Sequence, residues 1–152
     1  MFFKLRRKHI ALLTLLAMLA MTIVGCGGGS DQDKSGDKAN DVIKIGVYEP
    51  LTGTNAAGGQ MTMEGIELAN KLYPTVLGKK IELVTVDNKS EKQEAANAVE
   101  RLVSKENVNV IIGSYGSSLS MSGGPVAQDA GCPVIGCSPT NPAVTLGNDY
   151  YF

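Results

Sequence analysis

The sequence predicts an α/β fold built on a doubly wound parallel sheet, and three observations carry that prediction. From Ile43 onward, short apolar runs of strand length alternate with longer stretches in which apolar residues recur at the helical period. The run VNVII (108–112) is nearly continuous in apolar residues, as a strand covered on both faces must be. That run passes in one step into GSYGSS (113–118), small residues that either turn the chain and cap the next helix or face a ligand. Strand, helix and strand in repetition give parallel pairing with right-handed crossovers.

Taken in order, the chain opens with a different kind of segment. Lys4, Arg6, Arg7 and Lys8 precede an apolar run over 10–24, then Gly25 and Cys26. This is the pattern of an export signal. The run of about 15 residues falls short of the roughly 20 that span a bilayer. Residues 1–25 are therefore expected to be a signal peptide. Residues 26–42, a flexible Gly/Ser/Asp-rich stretch, hold too few apolar side chains to order themselves and read as a tether. Ser35 and Lys38 match the S-x-x-K spacing of serine acyl enzymes, but a tether cannot hold nucleophile and base in register, so the match is chance.

Residues 43–152 form the folded part. Strands are predicted at 43–48, 81–86, 108–112 and 133–136, with helices near 60–73, 91–105 and 117–130. Met63, Ile66, Ala69 and Tyr73 share one face of the first helix, and Ala95, Val99 and Leu102 or Val103 one face of the second. Ser90 followed by Gln93 is a capping-box signature for the second helix.

Charge and composition narrow the chemistry. Four of the fourteen cations and none of the fifteen acids lie in 1–25, leaving ten cations against fifteen acids, a net charge of −5. An acidic chain makes nucleic acid a poor partner. The single histidine, His9, leaves with the signal, so no imidazole is left for acid–base work or metal ligation. Cys132 and Cys137 would lie roughly 16 Å apart along a strand at about 3.3 Å per residue, too far to bridge, and read as free thiols.

In a doubly wound sheet, ligands sit beyond the carboxyl ends of the strands. Three loops are expected there: EPLTGTNAAGG (49–59), GSYGSS (113–118) and CSPTNP (137–142). The first lacks G-x-G-x-x-G and is too long for a tight dinucleotide turn; no Walker phosphate loop and no G-x-S-x-G elbow occurs. No cofactor and no catalysis are expected. What these loops can do is bind an anion, because hydroxyls and free N–H groups at a helix N-terminus hydrogen-bond a carboxylate well.

The segments IKIGVYEPLTG, VDNKS before a helix, VNVIIGSYGSS, and AGCPVIGCSPTNPAVT with NDYYF following resemble the leucine/isoleucine/valine-binding family of ABC-transporter solute-binding proteins, of the periplasmic-binding-protein type 1 fold. The likeness covers about 43–152. Each motif alone is weak, but four in order behind a lipoprotein signal are specific. The end of the apolar run, Ile23-Val24-Gly25-Cys26, resembles the bacterial lipobox, which implies a lipid on Cys26. The family resemblance implies two Rossmann-like lobes joined by a hinge, with ligand trapped between them. Such a receptor needs roughly twice the size of one ordinary domain, so 43–152 reads as the first part of the N-terminal lobe, with the second lobe absent and the chain a fragment or a truncated reading frame.

Carried over residue by residue, the resemblance implies that Ser117 holds the ligand carboxylate, that Thr140 supplies a second hydroxyl, and that Ser138 contacts the ligand through its main chain. The alternative reading is that Ser117 and Thr140 only cap helices, and the two roles can coexist. Gly58 stands where some members place an aromatic ring. Tyr115, Gly58 and Tyr48 are weaker ligand-binding candidates, the Glu49 carboxylate is expected to face solvent, and Ser114, Ser118 and Ser120 read as turn and cap residues.

The function implied is that of a lipid-anchored, extracytoplasmic receptor, on the outer face of the cytoplasmic membrane or in the periplasm. It would bind a branched-chain or related small amino acid and hand it to an ABC permease. The alternative is a chemosensory or regulatory receptor on the same fold. A hydrolase would need Ser117 as nucleophile without the usual base.

Overall fold

The computed structural model describes residues 42–152. The signal segment, Cys26 and the tether lie outside the described residues, except that Val42 already pairs with Lys80. The elements run β1 (Val42–Glu49), α1 (Ala56–Leu72), β2 (Thr75–Val76), β3 (Lys79–Asp87), α2 (Lys92–Ser104), β4 (Val110–Ile112), α3 (Ser117–Asp129), β5 (Val134–Ile135) and a 3-10 turn (Pro142–Val144). All four predicted strands and all three predicted helices are present.

Five strands form one sheet in the order β2-β3-β1-β4-β5. β1 pairs in parallel with β3, from Val42 opposite Lys80 to Glu49 opposite Asp87. On its other side β1 pairs in parallel with β4, Ile45 lying opposite Val110. β4 pairs in parallel with β5. The chain thus winds outward from β1 in both directions, and the crevice beyond the carboxyl ends of β1 and β4 is the switch point at which such sheets bind ligands.

The period of two along each strand divides the apolar residues between two faces. Tyr48, Val84, Val86, Ile111 and Val134 meet Ala95, Val99 and Leu102 of α2 and Leu119 and Ala127 of α3 in the buried core. The helices approach the sheet closely at two glycines. A Cβ on Gly46 would lie 3.0 Å from a Leu102 methyl, and one on Gly123 would lie 2.8 Å from Val99 and 2.9 Å from the Tyr48 ring. On the opposite face α1 lies alone, and Ile66, Ala69 and Tyr73 with Ile45, Ile81 and Leu83 line an open groove of about 430 Å³.

Three local expectations are corrected. The first helix begins at Ala56 rather than near residue 60, because Gly58 and Gly59 are helical and closely covered: a Cβ on Gly59 would stand 2.1 Å from the Pro50 carbonyl oxygen. The loop after β1 is therefore short, residues 50–55. The capping box does not form, since the N-cap of α2 is Glu91, without a side-chain cap bond, and Gln93 donates to Asn97 instead. Ser90 is drawn away to the first loop, where its hydroxyl donates to the Thr52 carbonyl at 2.7 Å. A short strand not predicted, β2, folds antiparallel onto β3 through Leu77 and Gly78, both with positive φ.

Candidate functional site

At the carboxyl edge, each strand end is tied to the loop beside it. The Asp87 carboxylate at the end of β3 accepts the N–H groups of Leu51, at 2.9 Å, and Thr52, at 3.2 Å. It also accepts the Thr52 hydroxyl at 2.6 Å and the Lys89 N–H at 2.8 Å. Partial burial alone would raise this carboxyl, but hydrogen bonds from the Thr52 hydroxyl and the Lys89, Leu51 and Thr52 N–H groups outweigh it and hold the pKa below the ordinary value. Asn88, fully buried, donates from Nδ2 to the Ser114 hydroxyl at 2.9 Å and to the Tyr48 carbonyl at 3.3 Å. Asn88 thereby ties the end of β1 to the serine loop.

The serine loop leads into α3 through Gly116, whose φ of 95° suits a residue without a Cβ. Leu119 and Ser120 send their N–H groups back to the Gly116 carbonyl. The N–H groups of Ser117 and Ser118 belong to the first turn, where no intrahelical acceptor exists. The Ser117 oxygen accepts the N–H groups of both Thr140 and Asn141, each at 3.1 Å. Its own hydroxyl proton is left free to donate outward. Ser117 and Thr140, 23 residues apart, are brought into direct contact, and Ser138 lies exposed in the same loop. Ser117 does not cap α3 through its side chain; the N-cap is Gly116.

Tyr115 lies over Gly58. A Cβ on Gly58 would stand 2.2 to 2.5 Å from three atoms of the Tyr115 ring, so the ring occupies the space that a side chain at residue 58 would need. Tyr48, in contrast, is removed from the candidates. It is fully buried on the α2 and α3 face, and its hydroxyl meets that of Tyr151 at 2.9 Å, while Tyr151 donates to the Gly113 carbonyl. Burial, reinforced by Tyr151, pushes its phenol well above the ordinary range.

One further expectation fails at this edge. The Glu49 side chain is completely buried: one oxygen accepts the Tyr115 N–H at 2.7 Å and the other the Cys137 thiol at 3.0 Å. Burial raises its carboxyl pKa, and the two donors only partly oppose the rise. Cys137 is exposed, yet desolvation of its sulfur together with the hydrogen bond and charge of Glu49 pushes its thiol up to about 12. Ser120 holds the serine turn from inside the fold. It is buried, donating to the Ser114 carbonyl at 3.0 Å and accepting the Ser114 N–H at 3.3 Å.

Residues 42–152 match the family model described as periplasmic binding protein. The chain belongs to the periplasmic binding protein family. Among solved structures it is similar to the leucine binding protein LivK of Thermotoga maritima, at 44% identity and a TM-score of 0.70, over 72% of this chain and 31% of that one. It is similar to LivJ of Streptococcus pneumoniae in complex with isoleucine, at 36% identity and a TM-score of 0.70, over 73% and 33%. It is also similar to a solute binding protein of an ABC transporter from Rhodopseudomonas palustris in complex with 3,4-dihydroxy benzoic acid, at 28% identity and a TM-score of 0.70, over 73% and 31%. The chain thus spans about a third of the length of these relatives, and the curated relatives it matches are covered to a similar extent, 29% and 31% for the first two.

Proposed function

We propose that this chain carries the carboxylate-binding half of an extracytoplasmic receptor for an ABC importer, selective for a branched-chain or related small amino acid. The observation that carries the reading is the Ser117 oxygen, which accepts the Thr140 and Asn141 N–H groups and keeps its own proton for a ligand. Beside it stand the Ser117 and Ser118 N–H groups of the first turn of α3 and the Thr140 hydroxyl, which forms no hydrogen bond among the described residues. Donors converging at a helix N-terminus favour a carboxylate over a neutral group. A second lobe, supplied by further chain as in the longer relatives, would close over the ligand, exclude water and strengthen these bonds. A lipid on Cys26 would hold the receptor at the membrane beside its permease.

A second reading of the ligand is favoured by Gly58 and Tyr115. Isoleucine and 3,4-dihydroxy benzoic acid, bound in two solved relatives, share a carboxylate and differ in the body attached to it. In this chain the Tyr115 ring takes the place of a side chain at residue 58, leaving the ligand body less constrained from α1. Titration of the full chain, followed by NMR, with leucine, isoleucine and 3,4-dihydroxybenzoate tests both readings. Shifts at the Ser117, Ser118 and Thr140 amides with all three acids, and none with leucinamide, support carboxylate recognition. Shifts of equal size with leucinamide overturn it.

A further inference from the structure

The two loops that carry Ser117 and Thr140 leave different strands, β4 and β5, and β5 does not neighbour β1. Glu49, the last residue of β1, nevertheless touches both loops. One carboxylate oxygen takes the Tyr115 N–H, two residues before Ser117. The other takes the Cys137 thiol, three residues before Thr140. We propose that Glu49 is a positioning residue of the site: from the end of β1 it holds the serine loop and the loop at 137–141 at the spacing that lets Ser117 meet Thr140.

The inference rests on burial and on the number of donors. Glu49 has no exposed surface, so it cannot touch a ligand and acts only through its neighbours. A buried carboxylate is costly unless its oxygens are hydrogen-bonded. Asp87, at the matching end of β3, accepts four hydrogen bonds, whereas Glu49 accepts two, one from each loop. An apolar side chain of similar volume would fill the space without that cost. What it could not do is accept a hydrogen bond from each loop at once. For ligand affinity the inference depends on the carboxylate reading above; for the free protein it does not.

The experiment uses the full chain and two pairs of variants. Cys137→Ala removes one donor at an exposed position and should not disturb folding, while Cys137→Ser restores a donor. Glu49→Leu removes both acceptors, and Glu49→Gln keeps one oxygen. NMR exchange rates of the Thr140 and Asn141 amides, which Ser117 protects, should rise about tenfold, the equivalent of about 1.4 kcal/mol, in Cys137→Ala and Glu49→Leu. They should return toward wild type in Cys137→Ser and partly in Glu49→Gln. Iodoacetamide labelling of Cys137, followed by peptide mass mapping, should speed up in Glu49→Gln, because the carboxylate charge is gone. Unchanged exchange at Thr140 and Asn141 in Cys137→Ala would overturn the proposal, whether or not Glu49→Leu folds. If leucine leaves the wild-type amides unshifted while the exchange rates respond as described, the amino-acid reading fails and the tie stands.

Discussion

The Tyr115 ring rests on Gly58, and a methyl group at residue 58 would overlap three of its atoms at 2.2 to 2.5 Å. Since Gly58 lies in the first turn of a helix, alanine there gains about 1 kcal/mol in helix propensity but must push the ring aside. Gly58→Ala is therefore expected to destabilise the chain when Tyr115 is present and to stabilise it in a Tyr115→Ala background. Urea melts of the four combinations should give a coupling of about 1 kcal/mol or more, within the 0.5–3 kcal/mol found for contacting pairs. Additive effects would mean that the ring is not held there.

The two strand-end carboxylates respond to pH in opposite directions. Asp87 sits below the ordinary carboxylate range, so its contribution to stability is full above that range and lost as pH falls through its depressed value. The Glu49 pKa is raised, so the folded chain retains a proton that the unfolded chain has released, and stability falls as pH rises through that window. Urea melts from pH 2 to 7 should show a shallower acid limb in Asp87→Asn. In Glu49→Gln the decline above the ordinary glutamate range should disappear. The reverse slopes would contradict the hydrogen bonding described.

The outer side of α1 carries Met61, Leu68 and Leu72, spaced to fall on one stripe and all exposed. Beside them the groove under α1 is lined almost entirely by apolar atoms. Apolar surface of this extent favours association. The full chain is expected to sediment as oligomers, and Leu68→Glu with Leu72→Lys to shift it toward monomer. A monodisperse monomer of the wild-type chain would count against this.

Cys26 follows an apolar run that matches the pattern of an export signal. Cys26→Ala is expected to release the chain from membranes, and mass spectrometry of the wild-type membrane fraction to find a diacylglyceryl adduct on Cys26. An unmodified Cys26 in that fraction would exclude the lipid anchor.

The strands and helices were legible because their apolar residues keep to periods of two and 3.6, a property of each segment by itself. The place of GSYGSS at the carboxyl end of β4 was legible for a similar reason, since it ends a buried run. Glu49, Tyr48 and Ser120 were not. A glutamate at a strand end reads as solvated unless one knows that the Tyr115 N–H and the Cys137 thiol converge on it from loops 66 and 88 residues away. The burial of Tyr48 and Ser120 was hidden for the same cause, as their partners, Tyr151 and Ser114, lie on other elements. The capping box failed because Ser90 found acceptor and donor in the first loop, a tertiary choice that local sequence does not encode.

If Ser117 and Thr140 hold a carboxylate, the leucine affinity of the full chain must fall when either hydroxyl is removed. Hydrogen bonds to a charged group contribute roughly 1.5–3 kcal/mol, and the open site puts each hydroxyl at the lower end, about a tenfold loss for Ser117→Ala or Thr140→Ala. Because the two residues touch, the double variant should lose less than the sum of the two. Ser122→Ala is the control, since its hydroxyl only donates to the Ser118 carbonyl within the same helix; Ser120, buried against Ser114, cannot serve. Weakened binding in Ser117→Ala and Thr140→Ala with Ser122→Ala unchanged is the result predicted, and equal, small effects at all three positions would contradict it.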